Sequence, residues 1–157
     1  MMPALSRRAM VVLLVTVVCS LSLAAQGEKF EQKIAFGVDK ALTVNGTAGP
    51  VKVATLKITD LGRGYSKGGL SLRSLTPPSE LSTTLRFALD VNNPTKEEWQ
   101  VTFTLELLDK DGKVIDRLTK KENYDNESKV LTLEHPVLEY VMPLVTDVKI
   151  TLQGKKA

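Results

Sequence analysis

The sequence predicts an all-β domain, an antiparallel sandwich of about seven to nine strands, behind an N-terminal leader. Three observations carry that prediction. Apolar residues recur with a period of two in segment after segment, no segment sustains the 3.6-residue apolar stripe of a packed helix, and turn residues punctuate the chain roughly every ten positions.

The chain begins with Arg7 and Arg8, an apolar run from Ala9 to Val18, and Ser-Leu-Ser-Leu-Ala-Ala ending at Ala25. A basic stretch, a short apolar stretch and small residues before a cut have the layout of a cleavable secretory signal. This divides the chain into a signal peptide over residues 1–25 and one domain over residues 26–157, long enough to bury a continuous core. About ten consecutive apolar residues fall short of the roughly 20 that span a bilayer, so no membrane span is expected after cleavage; a retained N-terminal anchor is the alternative. Ser6-Arg7-Arg8 also fits the start of a twin-arginine signal, but two arginines equally suit an ordinary leader. The single cysteine, Cys19, directly follows Val18, inside the apolar part of the signal. Thr16, Val17 and Val18 before it lack the leucine and small residue of a lipid-attachment site. The mature domain therefore has no disulfide, and a secreted or periplasmic location is expected.

In order along the domain, Phe30, Gln32, Ile34, Phe36 and Val38 alternate as a first strand, with Gln32 its one polar member. Val51 and Val53 give way to Leu56 and Ile58, and this change of parity at Ala54-Thr55 predicts a β-bulge in an edge or corner strand. Leu61 to Thr84, broken by Gly62, Gly64, Gly68, Gly69, Pro77 and Pro78, reads as a long loop around one poor edge strand at Leu70 and Leu72. Leu85, Phe87, Leu89 and Val91 alternate cleanly, a turn follows at Asn92-Asn93-Pro94-Thr95, and Trp99, Val101, Phe103, Leu105 and Leu107 resume. These two read as neighbouring strands over one core. Asp109-Lys110-Asp111-Gly112 supplies hairpin chemistry before a strand over Lys113 to Leu118. Leu131 and Leu133 form a short strand ending at the Pro136 break. Leu138, Tyr140, Val141 and Leu144 make one helical turn confined by Pro136 and Pro143, and Val148, Ile150 and Leu152 close the pattern.

Over residues 85–118 the series Phe87-x-Leu89-x-Val91-x-Asn93-Pro94, Trp99-x-Val101-x-Phe103-x-Leu105 and Leu107-Leu108-Asp109-x-Asp111-Gly112 resembles exported immunoglobulin-like domains of the FxLYD kind. The resemblance implies an immunoglobulin-like β-sandwich outside the cytoplasm. It implies no catalytic residues. The chain departs from that pattern with Leu108 where tyrosine would stand, and from antibody domains by lacking both core cysteines.

The charge balance bounds the partners. The chain has 21 basic and 18 acidic residues, and two of the basic ones, Arg7 and Arg8, belong to the leader. The near-neutral, interspersed charge of the domain argues against nucleic acid. His135, the single histidine, precedes Pro136 and would need partners from elsewhere in the fold to act as a base. One histidine and no domain cysteine do not make a zinc site. Asp109-x-Asp111-Gly112, with Asp116 and Glu122 nearby, places glycine at the fourth position of the run; a calcium loop needs it at the sixth, so a hairpin is the better reading. Gly62-Arg63-Gly64-Tyr65-Ser66-Lys67-Gly68-Gly69 lacks the Gly-Lys-Ser/Thr ending of a phosphate loop. No catalytic residue, metal or cofactor is therefore expected. Within this loop, Tyr65 between Arg63 and Lys67 is the candidate partner contact, an amphipathic ring between two cations suited to an acidic protein or a glycan. Trp99 shares the parity of Val101 and Phe103, which makes it core and not a sugar platform. Asn45-Gly46-Thr47 and Asn126-Glu127-Ser128 match the glycosylation acceptor pattern. These readings lead to a non-catalytic binding or accessory domain that docks a protein partner, with a glycan or cell-wall module as the alternative and a hydrolase-type enzyme as a second.

Overall fold

The computed structural model describes residues 28–63 and 81–157. Residues 1–27, which include the expected signal peptide, and residues 64–80, with Tyr65 and Lys67, lie outside the described residues. Among the described residues eight strands follow one another: β1 (Lys29–Ala35), β2 (Ala41–Ala48), β3 (Val51–Arg63), β4 (Ser82–Asn92), β5 (Trp99–Leu108), β6 (Val114–Tyr124), β7 (Ser128–Leu138) and β8 (Asp147–Lys156). A 3₁₀ helix, Glu139–Leu144, joins β7 to β8. The strands form two four-stranded sheets in the orders β1-β8-β5-β6 and β2-β3-β4-β7, with every strand pair antiparallel.

The alternation read from the sequence sets which side chains face inward. Leu85, Phe87, Leu89 and Val91 of β4 are buried, as are Val101, Phe103, Leu105 and Leu107 of β5 and Val148, Ile150 and Leu152 of β8. All belong to one hydrophobic cluster between the sheets. Each fully buried side chain of this kind contributes about 1.5–3 kcal/mol. The cluster holds the layers together without a covalent staple.

Three expectations about the strands are corrected. β4 and β5 are not neighbours; β4 pairs with β3 and β7, and β5 with β6 and β8, so the two face each other from opposite sheets. The segment between them crosses the end of the sandwich and is pinned by Asn93, which is fully buried. Its Nδ2 donates to the carbonyls of Glu97 (2.8 Å) and Tyr124 (2.9 Å), and its Oδ1 accepts from Thr95 N (3.1 Å) and Thr95 Oγ1 (2.8 Å). Every hydrogen-bonding position of that amide is filled.

The bulge expected at Ala54-Thr55 stands between the pairs Val53↔Val91 and Leu56↔Leu89, and it returns Leu56 and Ile58 to the core. It lies in a central strand, however, because β2 covers the other side of β3. β2 has its own irregularity between Thr43 and Gly46, with Asn45 at φ 49°. A Cβ on Gly46 would lie 2.6 Å from Cε1 of Phe30, so glycine lets β1 lean across β2. Third, β7 does not stop at Pro136. It continues to Leu138, with Pro136 opposite Thr84. β7 is an outer strand with a neighbour on one side only, which is where the missing N–H of proline is tolerated.

Leu61 to Arg63 and Ser82 to Thr84, expected within a long loop, belong instead to β3 and β4, with Arg63 opposite Thr83; the poor edge strand expected at Leu70 and Leu72 lies outside the described residues. Gly112 (φ 78°) closes the β5–β6 hairpin, where Asp109 Oδ1 accepts the N–H groups of Asp111 (2.9 Å) and Lys113 (2.8 Å). That carboxylate oxygen is spent on the turn. Trp99 packs from the core's margin onto the β2–β3 turn, where a Cβ on Gly49 (φ 64°) would fall 2.3 Å from the indole Cζ3.

Candidate functional site

The strands define two poles, separated by roughly 30 Å for a strand the length of β5. At one pole the chain enters and leaves. The Glu28 carbonyl accepts the N–H of Gly154 (3.0 Å), and the Ala157 N–H donates to the Glu98 carbonyl (3.1 Å). Asn93, Trp99 and Tyr124 lie at this end. The Lys156 ammonium, 2.7 Å from Glu97, holds that carboxyl below its ordinary range. The Tyr124 hydroxyl is buried without a hydrogen bond, and burial pushes its pKa well above the usual phenol value, with Glu122 and Glu127 adding to the effect. The Tyr124 ring meets Phe103 edge-on at 5.9 Å, and Lys129 sits 4.5 Å from its centroid.

The opposite pole is apolar on its surface. The 3₁₀ helix crosses it, tied by Glu139 N to Leu81 O (2.8 Å), while Thr146 N bonds Leu108 O (2.9 Å) at the start of β8. Pro143 and the short run between β7 and β8 leave too little helix to bury an apolar face. Tyr140 is therefore 68% exposed, Leu144 57% and Leu81 63%, with Leu138 and Val114 also exposed. A cleft of ≈ 230 Å³ opens between the helix and the β5–β6 hairpin, lined by Asp109, Lys110, Ile115, Pro143, Leu144 and Thr146. Arg63, the root of the candidate contact loop, ends β3 at this same pole.

His135 has a partner that the sequence did not reveal. Its Nε2 lies 3.0 Å from Oδ2 of Asp116, so the pair links β7 in one sheet to β6 in the other. Parity was the available signal. His135 falls in step with the inward-facing Leu131, Leu133 and Val137, and Asp116 with Leu118. Among the described residues no hydroxyl bonds the other ring nitrogen, and no three of His, Cys, Asp and Glu gather as metal ligands. The pair acts as a clasp between two outer strands.

The outer faces carry cross-strand charge rows. Glu106, largely buried, accepts two guanidinium N–H groups of Arg117 and faces Lys149 at 3.6 Å. Arg86 grips Glu134 through Nε (3.1 Å) and Nη2 (2.9 Å). Glu31, between Lys29 and Lys149, is held below the ordinary carboxyl range chiefly by the Lys29 hydrogen bond. Among the described residues no helix is long and apolar enough to cross a membrane.

No known family model matches the chain, and no curated protein sequence does. Among solved structures, the chain is similar to the solution structure of an uncharacterized lipoprotein, YajI, of Escherichia coli, at 10% identity over 98% of this chain and 82% of that one, with a TM-score of 0.35. It is also similar to the enzymatically active domain of tailspike protein 4 of bacteriophage CBA120, at 12% identity over 82% of this chain and 17% of that one, with a TM-score of 0.28. Likenesses this distant assign no activity.

Proposed function

We propose that the chain is an exported, immunoglobulin-like β-sandwich, of the kind its FxLYD-like stretch resembles, that docks a protein partner in the cell envelope. The domain works by binding, without catalysis or a cofactor. The observation that supports this best is the segregation of Tyr140, Leu144, Leu138 and Leu81 on one pole. Side chains of this size left in water at one place, on a scaffold whose core is otherwise closed, are the ordinary mark of an interface. The pole also stands opposite Glu28, where the N-terminal segment joins. A leader or anchor at that end would leave the apolar pole pointing away from the attachment. The contact proposed from the sequence, Arg63, Tyr65 and Lys67, begins where β3 ends at this pole.

A glycan or cell-wall module is the second reading, favoured by the exposed Tyr140 ring, which could stack on a sugar. A photoreactive phenylalanine analogue placed at Tyr140, with Thr132 on the outer face of β7 as the control, separates the two in extracts of the source envelope. The account expects a discrete protein adduct from position 140 and none from 132. Adducts equal at both positions, or glycan adducts alone, would overturn it.

A further inference from the structure

We propose that Asn45 is a site of spontaneous covalent modification, where the chain's own Gly46 nitrogen converts the side-chain amide to aspartate and isoaspartate and so loosens the flank between β1 and β2. Among the five asparagines only Asn45 is followed by glycine; the others precede Asn93, Pro94, Tyr124 and Glu127. A glycine nitrogen has no neighbouring Cβ to keep it from the asparagine side chain, and asparagine is among the residues that limit the chemical lifetime of a protein. The structure fixes both members of this pair. Asn45 has φ 49°, a left-handed conformation that asparagine tolerates better than most side chains. Gly46 is buried, and a Cβ there would lie 2.6 Å from Cε1 of Phe30 and 2.9 Å from Cδ1 of Leu152. Packing therefore demands glycine directly after a residue at positive φ, and the labile pair comes with it. The fold also leaves the pair reactive. Asn45 is exposed. The pairing of β2 with β3 stops at Thr43↔Thr55 and resumes at Gly46↔Val53, so Val44 and Asn45 belong to the irregular stretch. β2 is an outer strand with β3 on one side only. The peptide that must rotate sits where a sheet opens locally at little cost.

In the reaction the Gly46 nitrogen gives up its proton and bonds to Cγ of Asn45, the Cγ–Nδ2 bond breaks, and ammonia leaves as the succinimide ring closes. Water then opens the ring. Attack at Cγ gives aspartate; attack at the main-chain carbonyl gives isoaspartate, whose chain runs through Cβ and Cγ. The balance is amide plus water to acid plus ammonia, with nothing oxidised or reduced. Isoaspartate adds a carbon to the backbone of β2, about 1.5 Å of extra bond, directly before a glycine with no room even for a Cβ. β1 is the outer strand of one sheet and β2 of the other, and Phe30 joins them against the core. The longer chain displaces Phe30 or bows β2 outward. Either way the flank loosens.

The test ages the intact protein in warm, mildly alkaline buffer beside the same chain in urea, and follows the peptide holding Asn45 by mass spectrometry and by isoaspartyl methyltransferase labelling. In the folded protein that peptide should become acid and isoaspartate at a rate within about ten-fold of the urea rate, since the irregular stretch opens locally at small cost. The rate should rise with pH, because the attacking nitrogen must lose its proton, and Asn92, Asn93, Asn123 and Asn126 should lag behind. Aged protein should exchange the amides of β1 faster than fresh protein and melt at least about 3 °C lower. Asn45→Gly keeps the positive φ without an amide to lose, and its melting point should survive the same ageing. Fresh Asn45→Asp supplies the acid on an unaltered backbone and should melt close to the fresh parent. An Asn45 that stays intact in the folded protein while it converts in urea would overturn the proposal. So would converted protein with unchanged melting and β1 exchange, or a fresh Asn45→Asp as unstable as the aged parent.

Discussion

Asn93→Ala tests whether the crossing between the sheets is held as described. The amide makes four side-chain hydrogen bonds, two of them to the backbone carbonyls of Glu97 and Tyr124 at the closed end of the sandwich. Each such bond contributes about 0.5–1.5 kcal/mol net, and a buried carbonyl left without its donor costs about 1–3 kcal/mol. Some of these groups regain water at the turn, so a loss of about 3–4 kcal/mol is expected, a large part of the 5–15 kcal/mol that stabilises a domain of this size. Asn93→Asp sharpens the test, because it is nearly isosteric and keeps the acceptor for Thr95 but sets a carboxylate against two carbonyls. It should destabilise at neutral pH at least as much as alanine and recover partly as the pH falls through the carboxyl range. Urea unfolding followed by the fluorescence of Trp99 measures both. A loss below about 1 kcal/mol for alanine, or an aspartate variant as stable as the parent at pH 7, would refute the role given to this side chain.

Tyr124→Phe should be neutral or stabilising by up to about 1 kcal/mol at pH 7, since it removes a buried hydroxyl with no partner. Because the folded pKa is raised, the parent's stability holds below the unfolded value near 10 and falls above it by up to about 1.4 kcal/mol per unit; thermal melts of the phenylalanine variant should lack that alkaline loss. Gly49→Ala should cost about 2–4 kcal/mol, because a positive φ and the Trp99 ring both oppose a Cβ, whereas Gly112→Ala, with open space around it, should cost only about 1–2 kcal/mol. Equal melting points for the two glycine variants would contradict the packing of Trp99 on the turn.

The two-residue period was enough to read most strands and their inward faces, because a strand with one buried side writes that side into every second residue. Val51, Val53, Leu56 and Ile58 also exposed the bulge, since only an extra residue reconciles both parities with one core. What alternation does not specify is a neighbour. β4 and β5 have the same pattern whether they pair or face each other, and the choice fell to the Asn93 crossing, whose hydrogen bonds reach residues 31 and 4 positions away. Pro136 misled for a related reason: it ends a central strand but not an outer one, and position in the sheet is a tertiary fact. The apolar pole was hidden in a short helical turn whose leucines look like core. Asp116 and His135 meet only because two outer strands from different sheets close on one side. Arg63 was read as a loop residue and instead ends β3, while Tyr65 and Lys67 lie outside the described residues.

Every placement above depends on β4 and β5 lying in opposite sheets. Cross-strand nuclear Overhauser contacts along the backbone test this directly. Phe87 should show main-chain contacts to Ile58 and Leu133, and Phe103 to Lys120 and Leu152. A ladder of main-chain contacts running between β4 and β5 would contradict the two-sheet arrangement and the two poles together.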